Sequence, residues 1–336
     1  MQPDSQPLVS FVVLCYNTEQ YVGDCIANIL RMETDVPFEI VALDDHSPDR
    51  TWEVIQSFDD PRMRAIRNER NLGHSLAIEK ALRATRGKYV ARIDSDDRHR
   101  PEFLNRTVPI LEKFPEVGLV YGDASVIGPE GQEYAPDSDR HHKGKDYKGW
   151  ELVELLAKNF VCAPTMIVRR EFFIRHLPVP PNLAFSDWYF TVYIARETQF
   201  YYVNSVLADY RVHPGNMHSR IFLDKSEERS IFWMLDQVYG SEEQTAELQE
   251  QKLRARQQVY GSHYFTLAEK YFGAFMTADA RRCYWEGLKR QPSNFFSRGI
   301  MRRFAATLIG RNTYERVKAI SKAFVSKSTV VPRKAA

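Results

Sequence analysis

Three carboxylates lie within four residues, directly after a short apolar run. Asp94, Asp96 and Asp97 follow residues 89–93. Carboxylates this close repel one another unless positive charge lies among them, and Mg²⁺ and Mn²⁺ prefer such oxygen ligands, often beside a substrate phosphate. Because side chains alternate along an extended chain, Asp94 and Asp96 should share one face and Asp97 the other. The cluster could therefore hold a cation beside a phosphate. Taken alone, it is more simply explained as an acidic turn before a helix near Pro101, and the rest of the chain reverses that preference.

Two further clusters later in the chain could supply chemistry. Asp187, in the run Phe-Ser-Asp-Trp, stands where a helix is expected to begin, and Tyr-Arg-Val-His ends an expected strand with Arg211 and His213. A carboxylate can take a proton, and a histidine can bind a metal ion. Each cluster also has a structural explanation, since Ser186 or Asp187 is a good helix N-cap and the second run could be a polar turn. Taken singly, each cluster is better explained by its structural role than by chemistry.

The first hundred residues alternate short apolar runs with segments of helical periodicity. The predicted elements are, in chain order, a strand at 8–14, a helix at 19–32, a strand at 38–43, a helix at 48–58, a weak strand at 63–67, a helix that follows residues 71–75 and ends near 85, and a strand at 89–93. Thr18 is expected to cap the first helix and Pro48 to open the second. This alternation predicts an α/β fold with a Rossmann-like, mostly parallel sheet flanked by helices. Tyr16, Asn17, Asp45 and the three carboxylates each follow a strand, so they should meet where such sheets bind ligands.

Motifs of other nucleotide-binding proteins are missing from these turns. A dinucleotide-binding dehydrogenase needs Gly-x-Gly-x-x-Gly after the first strand, whereas this turn reads Cys-Tyr-Asn-Thr-Glu-Gln, and no P-loop motif occurs. Dehydrogenases and P-loop enzymes are therefore excluded. His141 and His142 could be metal ligands, but no nearby residue has a suitable spacing, and a solvated loop is the favoured interpretation.

The composition is that of an ordinary soluble globular protein, with 43% hydrophobic and 27% charged residues among 336. No stretch approaches the roughly 20 apolar residues of a transmembrane helix, and the N-terminus lacks a signal-peptide pattern. The four cysteines are scattered and form no Cys-x-x-Cys pair, so reduced thiols are expected. These features predict a cytoplasmic protein.

Six ordered motifs together resemble those of the inverting family-two glycosyltransferases, which have the GT-A fold. The resemblance covers about residues 7–220. The motifs are the opening Val-Ser-Phe-Val-Val-Leu-Cys-Tyr-Asn, Asp-Asp-His-Ser at 44–47, Asn-x-Gly at 71–73, Gly-Lys-Tyr-Val-Ala-Arg-Ile-Asp-Ser-Asp-Asp at 87–97, Ser-Asp-Trp at 186–188 and Tyr-Arg-Val-His at 210–213. Any one of them is weak evidence, whereas their order and spacing together are strong evidence.

The resemblance implies a role for each of these clusters. Tyr16 resembles the position that packs against the nucleobase, Asp45 the acid that contacts the base or ribose, and Asp187 the general base. The residues expected to bind a nucleotide sugar are Tyr16, Asn17, Asp45, Asn71, Asp94, Asp96 and Arg211. The expected ligands of Mn²⁺ or Mg²⁺ are Asp96, Asp97 and His213, while Asp94 orients the donor or a neighbouring positive group. For Arg211, an ordinary surface arginine is the alternative.

These roles imply transfer of a single sugar, with inversion, from a nucleotide-diphosphate sugar to a glycan or lipid-linked glycan in surface polysaccharide synthesis. A UDP-sugar is the favoured donor. The chain departs from the family where Ser186 replaces a frequent glutamate before the base, and it lacks the Gln-x-x-Arg-Trp motif of processive synthases. The alternatives are a nucleotidyltransferase that makes the sugar nucleotide, whose Gly-rich signature is missing, and a non-catalytic scaffold that binds nucleotide sugars, against which the intact acidic residues argue.

The chain changes character beyond the proposed catalytic domain at 1–220. Residues 221–292 have helical patterns, with a tetratricopeptide-like pair near 261–292. One such pair cannot bury its own apolar face, so it is expected to pack on other elements rather than bind a peptide.

The last segment, 293–336, is predicted to be a basic amphipathic tail. From Lys289 onward there are twelve Lys or Arg residues and one acid, Glu315. The first apolar stripe comprises Ile300, Met301, Phe304, Ala305 and Leu308, and the second comprises Val317, Ile320 and Phe324. Such a tail can lie on an anionic membrane, here the inner face of the plasma membrane, or pack on the protein with its basic side in solvent. No nucleic-acid-binding module accompanies it, so nucleic acid is not an expected partner.

Overall fold

A computed structural model describes residues 6–135, 141–181, 183–216, 221, 223–310, 313, 314 and 316. The chain forms two compact units. The sheet unit comprises Met1–Ser219 with Glu243–Leu248, and the helical unit comprises Arg220–Glu242 with Gln249–Ala336. No helix in these described ranges is both long and apolar enough to cross a membrane.

The sheet unit is built on one mixed, mostly parallel sheet of ten strands in the order β3-β2-β1-β4-β9-β6-β10-β5, with β7 beside β6 and β8 beside β10. The strands are β1 Val9–Cys15, β2 Phe38–Asp44, β3 Met63–Arg67, β4 Tyr89–Asp94, β5 Arg98–His99, β6 Val117–Ile127, β7 Glu133–Ala135, β8 Tyr147–Gly149, β9 Ile167–Arg169 and β10 Gln199–Arg211. The predicted fold class is confirmed.

Helices flank this sheet. They are α1 Val22–Leu30, α2 Thr51–Gln56, α3 His74–Ala84, α4 Phe103–Lys113, α5 Leu152–Ala157, α6 Arg170–Arg175 and α7 Asp187–Ala195. Every residue of β2, and nearly every residue of β1, is buried. Strands covered on both faces have mostly apolar sequences rather than alternating ones, and β1 and β2 show this pattern except at Ser10, Glu39 and Asp44.

The first strands end level with one another. β1 lies between β2 and β4 in parallel pairings, with Cys15 opposite Asp44 and Leu14 opposite Asp94. Polar residues that follow these strands therefore emerge at one edge of the sheet, as the alternating pattern predicted.

Two helix starts differ from the sequence prediction because side chains form other bonds. Helix α1 begins at Val22 without a side-chain cap, and the Thr18 hydroxyl accepts a hydrogen bond from Ser95 at 2.9 Å. Helix α2 begins at Thr51, whose N–H donates to the Asp49 carboxylate at 3.1 Å, so Pro48 lies before the helix. A local turn in which the aspartate side chain binds the backbone two residues on delays the helix.

The predicted solvated loop around the two histidines is also different in part. His142 is partly buried and stacks on Tyr147 with ring centroids 3.9 Å apart, and its imidazole lies against Glu151. Residues 136–140 and the side chain of His141 lie outside the described residues.

The helical unit contains α8 Ser226–Tyr239, most of α9 Ala246–Gly273, α10 Thr277–Arg290 and α11 Arg298–Ile309. Helices α9 and α10 form an antiparallel pair, since the Tyr284 hydroxyl bonds to Glu269 and the Gln291 side chain to the carbonyl of Gln258. Gly287 allows close packing, because a Cβ there would lie 2.8 Å from the ring of Phe265.

Helix α11 begins after Ser297, whose hydroxyl accepts from the Ile300 N–H, and ends at Gly310 with φ 79°. Its buried residues are Ala306 and Thr307, whereas Leu308 of the first predicted stripe is 61% exposed. The stripe prediction is therefore wrong in part. The face of α11 that is buried contains Ala306 and Thr307, whereas the predicted apolar face contains Leu308. The second predicted stripe, at 317–324, lies outside the described residues.

Candidate active site

The end of β10 contacts the acidic loop that follows β4. The Asp96 carboxylate accepts hydrogen bonds from His213 Nε2 at 3.0 Å and from Asn216 Nδ2 at 3.2 Å. The backbone N–H of Arg211 donates to Asp97 Oδ1 at 2.8 Å. Residues more than a hundred positions apart in the sequence therefore form one cluster.

The three carboxylates have separate partners. The extended backbone ends at Asp94, since the Asp97 N–H donates to the Asp94 carbonyl at 3.1 Å in a turn. The assumed strand alternation therefore does not extend to Asp96 and Asp97. The Asp94 carboxylate forms an ion pair with Arg92 at 3.0 Å.

Burial raises the pKa of both Asp96 and Asp97 above the usual range for a carboxyl. Neighbouring carboxylates raise these pKa values further. Asp94 acts on Asp96, while both Asp96 and Asp94 act on Asp97. Asp97 is 1% exposed, and its Oδ2 has no hydrogen-bond partner among the described residues. A buried oxygen without a partner beside two other acids is an arrangement that a cation would stabilise.

A divalent cation fits this cluster only as a partial shell. In the described part of the chain, no group of three or more His, Cys, Asp or Glu side chains is arranged to hold a metal ion. Mg²⁺ is often held by one or two carboxylates together with substrate phosphates. Asp96, Asp97 and His213 supply donors of the right chemistry for such a partial shell.

The residues expected to bind the nucleotide lie beyond β1 and β2. Tyr16 is 51% exposed, which leaves its ring available for stacking. Asn17 has φ 56°, and its N–H donates to the Ser47 hydroxyl at 3.0 Å. Asp44, the last residue of β2, holds Ser47 by accepting a hydrogen bond from its N–H at 3.1 Å.

Asp45 holds the loop that precedes α3. Its carboxylate accepts from Asn68 Nδ2 at 2.7 Å and from the N–H groups of Leu72 and Gly73 at 2.9 Å. Asn71 Oδ1 also accepts from the Gly73 N–H, at 3.0 Å. Asp45 is 3% exposed, so a contact with a base or ribose would come in addition to these three bonds.

Arg211 is buried, and its guanidinium is hydrogen-bonded to other parts of the protein. Its guanidinium donates to the Asp24 carboxylate at 3.0 Å and to the carbonyls of Asp96 and Pro129 at 2.6 and 2.8 Å. It is 2% exposed and lies over the ring of Tyr21, 5.0 Å from the centroid. This placement argues against both the predicted direct contact with the donor and the surface alternative, because the guanidinium nitrogens are already bonded inside the protein.

Asp187 is the first residue of α7, and its carboxylate is partly exposed. Oδ2 accepts a hydrogen bond from Asn159 Nδ2 at 3.1 Å. The next residue, Trp188, is buried and donates its indole N–H to the Leu155 carbonyl at 2.8 Å. These contacts fix the start of α7 and hold one oxygen of the carboxylate.

Ser186 occupies the N-cap position of α7 but does not cap it. Its hydroxyl lies 2.6 Å from His74 Nε2 and accepts from the Arg92 guanidinium at 3.2 Å. Burial and the charge of Arg92 lower the pKa of His74 to about 4, so this imidazole is neutral at pH 7. The Arg92 guanidinium can only donate hydrogen bonds, and it also reaches His74 Nε2 at 3.4 Å. His74 Nε2 is therefore the acceptor, and the Ser186 hydroxyl donates a hydrogen bond to it.

Sequence reasoning did not identify four polar residues of this site, namely His74, Arg92, Asn159 and Asn216. A signal existed for Arg92, because a charged residue inside an apolar strand needs a buried partner. Asn216 follows directly on the Tyr-Arg-Val-His motif. His74 and Asn159 carry no local signal, because their contacts depend on how distant elements pack.

Comparison with known proteins places these features in a family. The model of the family "Glycosyl transferase family 2" matches residues 10–177, which is half of the chain. An uncharacterized glycosyltransferase of Methanocaldococcus jannaschii is 29% identical over 64% of this chain and 75% of its own length. The succinoglycan biosynthesis protein ExoO of Rhizobium meliloti is 38% identical over 31% of this chain and 30% of its own.

Two solved structures share the fold at low sequence identity. S. aureus TarS 1-349 in complex with UDP-GlcNAc has a TM-score of 0.55 and 15% identity, and the match covers 92% of this chain and 91% of that one. The mannosyltransferase PcManGT of Pyrobaculum calidifontis, in complex with GDP-Man and Mn²⁺, has a TM-score of 0.57 and 16% identity, covering 95% and 88%. The family match, together with the acidic loop and the converging strand ends, shows that the chain belongs to glycosyl transferase family 2, with a GT-A fold and a helical C-terminal part.

Proposed function

We propose that this glycosyltransferase transfers a single sugar, with inversion and with a divalent metal ion, from a nucleotide-diphosphate sugar. The observation that carries the proposal is the acidic loop after β4. There Asp96 bonds to His213 at 3.0 Å, beside the buried Asp97 with its unpartnered oxygen. This cluster needs positive charge and lies at the edge of the sheet where α/β folds bind ligands.

The donor is a hexose carried on a nucleoside diphosphate, with uridine favoured as the base. TarS binds UDP-GlcNAc and PcManGT binds GDP-Man, which supports a nucleotide sugar in this fold. Tyr16 stacks on the base, and Asn17, Asp45 and Asn71 shape the base and ribose subsite. Asp94, held by Arg92, orients the sugar end of the donor.

Asp96, Asp97 and His213 would hold Mn²⁺ or Mg²⁺. A bound ion of this kind neutralises the charge that develops on a diphosphate leaving group. The protein fixes the orientation of one of these ligands, because the His213 ring and the Asn216 amide both donate hydrogen bonds to the Asp96 carboxylate.

Asp187 acts as the general base. It takes the proton of the acceptor hydroxyl as the oxygen bonds to the anomeric carbon and the bond from that carbon to the diphosphate breaks. Asn159 stabilises the charged form of the base by its hydrogen bond. One displacement inverts the anomeric configuration, so the reaction needs no nucleophile from the protein.

The acceptor is a glycan or lipid-linked glycan in surface polysaccharide synthesis. Similarity to the succinoglycan biosynthesis protein ExoO supports this class of acceptor. Such an enzyme would act in the cytoplasm, on the inner face of the plasma membrane, where nucleotide sugars are available.

The test is product analysis with a panel of nucleotide sugars and Mn²⁺, with and without a chelator. We expect release of the nucleoside diphosphate from one donor, strongly increased by acceptor and lost with the chelator. Release of pyrophosphate from a nucleoside triphosphate and a sugar phosphate would instead identify a nucleotidyltransferase. Donor binding without any turnover would identify a scaffold protein, and chelator-resistant transfer would exclude the metal.

A further inference from the structure

The helical unit displays a group of exposed apolar side chains where α10, the 3₁₀ turn Pro292–Phe296 and α11 meet. Phe296 is 90% exposed, Leu308 61% and Trp285 48%. The members of this group, here called the apolar patch, are Trp285, Phe295, Phe296, Leu308 and Ile309. Exposed aromatic side chains clustered in this way indicate an interaction surface.

Ring contacts join the two helices and the turn beneath the patch. The Trp285 ring lies 6.3 Å from Phe295 and 6.4 Å from Phe304, between ring centroids. Leu308 follows Phe304 by one turn of α11, so both side chains lie on adjoining parts of one face. Phe296 and Ile309 are the neighbours of Phe295 and Leu308 along the chain, and both are exposed.

The rest of α11 is fixed to α10, which leaves the patch exposed. The Arg281 guanidinium donates to the Thr307 carbonyl at 2.6 Å, and Arg303 forms an ion pair with Glu269 on α9. Ala306 and Thr307 are buried against the unit. Because this opposite side already has its partners, the patch is not required for packing within the described helices.

Unpaired positive charge lies beside the patch. Arg298 and Arg302 are exposed, lie one turn apart on α11, and form no ion pair with any residue that the structure describes. Lys289, by contrast, pairs with Glu286. Arg290 also pairs with Glu286, and Arg303 pairs with Glu269. Among the described residues, Arg298 and Arg302 therefore leave uncompensated positive charge beside the patch.

We propose that the apolar patch docks on an anionic phospholipid membrane. Aromatic rings favour the headgroup level of a bilayer, and apolar side chains next to arginines suit a surface that offers acyl chains below negative headgroups. Phe296 and Leu308 would enter the interface while Arg298 and Arg302 contact headgroups. This binding is separate from sugar transfer.

The test is sedimentation of the full-length protein with vesicles of phosphatidylcholine alone or mixed with phosphatidylglycerol. We expect binding to the mixed vesicles only. Phe296→Ser with Leu308→Ser should weaken it at least about tenfold. Arg298→Gln with Arg302→Gln should weaken it by about fivefold for each arginine removed, and added salt should have the same effect.

Leu253→Ser with Arg254→Gln is the matched control, because both side chains are exposed on α9 away from the patch. It should bind as the parent does, and circular dichroism should show the same helix content in all variants. Equal binding of parent and both patch variants would overturn the proposal, as would equal binding to neutral vesicles. A parent protein that does not bind vesicles but self-associates, in a way that only the patch variants lose, would instead assign the patch to a second copy of the chain.

Discussion

The carboxylates at the end of β4 show how much the partner of an acid decides its role. Asp94 has a cationic partner in Arg92, Asp96 is bonded to His213, and Asp97 is buried with one oxygen unsatisfied. The motif predicts an acidic site but does not distinguish its members. Their partners come from β4 itself and from β10, so only the packing of those strands assigns each carboxylate.

The proposed base provides the first prediction at the residue scale. Asp187→Asn keeps the size of the side chain but cannot take a proton, so transfer should fall by about 10²–10⁴-fold. Binding of the donor should stay close to that of the parent, measured by calorimetry. Transfer at the parental rate in this variant would remove Asp187 from the role of base.

Asn159 provides a second, graded prediction. Its amide donates to Asp187 Oδ2, which fixes the direction of the carboxylate. Asn159→Ala should therefore misplace the base and lower kcat by up to about 10²-fold, with little change in the KM for the donor. Asn204→Ala, at an exposed position in β10, is the control and should leave both constants unchanged. A parental kcat in the Asn159 variant would contradict this role.

At the scale of elements, the sheet followed from the sequence more closely than the helix starts did. β1, β2 and β4 are mostly apolar, with few polar residues inside them, and burial on both faces leaves few alternatives for such segments. The helix starts depended on single side chains. Thr18 binds Ser95 and Ser186 binds His74 and Arg92, so neither serves as a cap.

Helix α5 gives a prediction of pH-dependent stability. Glu151 precedes the helix, accepts from the Tyr121 hydroxyl at 3.0 Å, and has its pKa raised by burial to about 8. The folded state then binds this proton more tightly than the unfolded state, so stability falls as pH rises between about 4.5 and 8, by at most about 1.4 kcal/mol per pH unit.

Glu151→Gln removes the ionisation and can still accept the hydrogen bond from Tyr121. In urea unfolding from pH 5 to 8, the variant should lose less stability with rising pH than the parent does. Glu53→Gln, at an exposed position on α2, should follow the parental curve. Identical slopes for the parent and the Glu151 variant would show that Glu151 does not titrate in this range.

At the scale of the whole molecule, metal and donor should act together on thermal stability. A ligand that binds only the folded state increases the free energy of unfolding by about 2.7 kcal/mol at a concentration of 100 Kd, which raises Tm by several degrees. We expect a nucleotide sugar with Mn²⁺ to raise Tm more than the sum of the two added separately.

Asp96→Asn should abolish that cooperative part, because it weakens one proposed metal ligand while keeping the size of the side chain. Asp59→Asn, at an exposed position, is the control and should retain the full shift. A parental shift with the Asp96 variant would place the metal elsewhere, whereas donor binding unaffected by Mn²⁺ would argue that donor recognition is independent of metal.

Local features of the chain were enough to indicate the family, the α/β class and the edge of the sheet at which the polar residues meet. Apolar runs and the acidic motif can be recognised from the order of residues, and the parallel order of the strands then brings their ends together. The packing of distant elements, by contrast, buries Arg211, places Asn159 against Asp187, and brings His74 and Arg92 to Ser186. The last three contacts join residues 28, 112 and 94 positions apart, and no spacing along the chain encodes a distance in space.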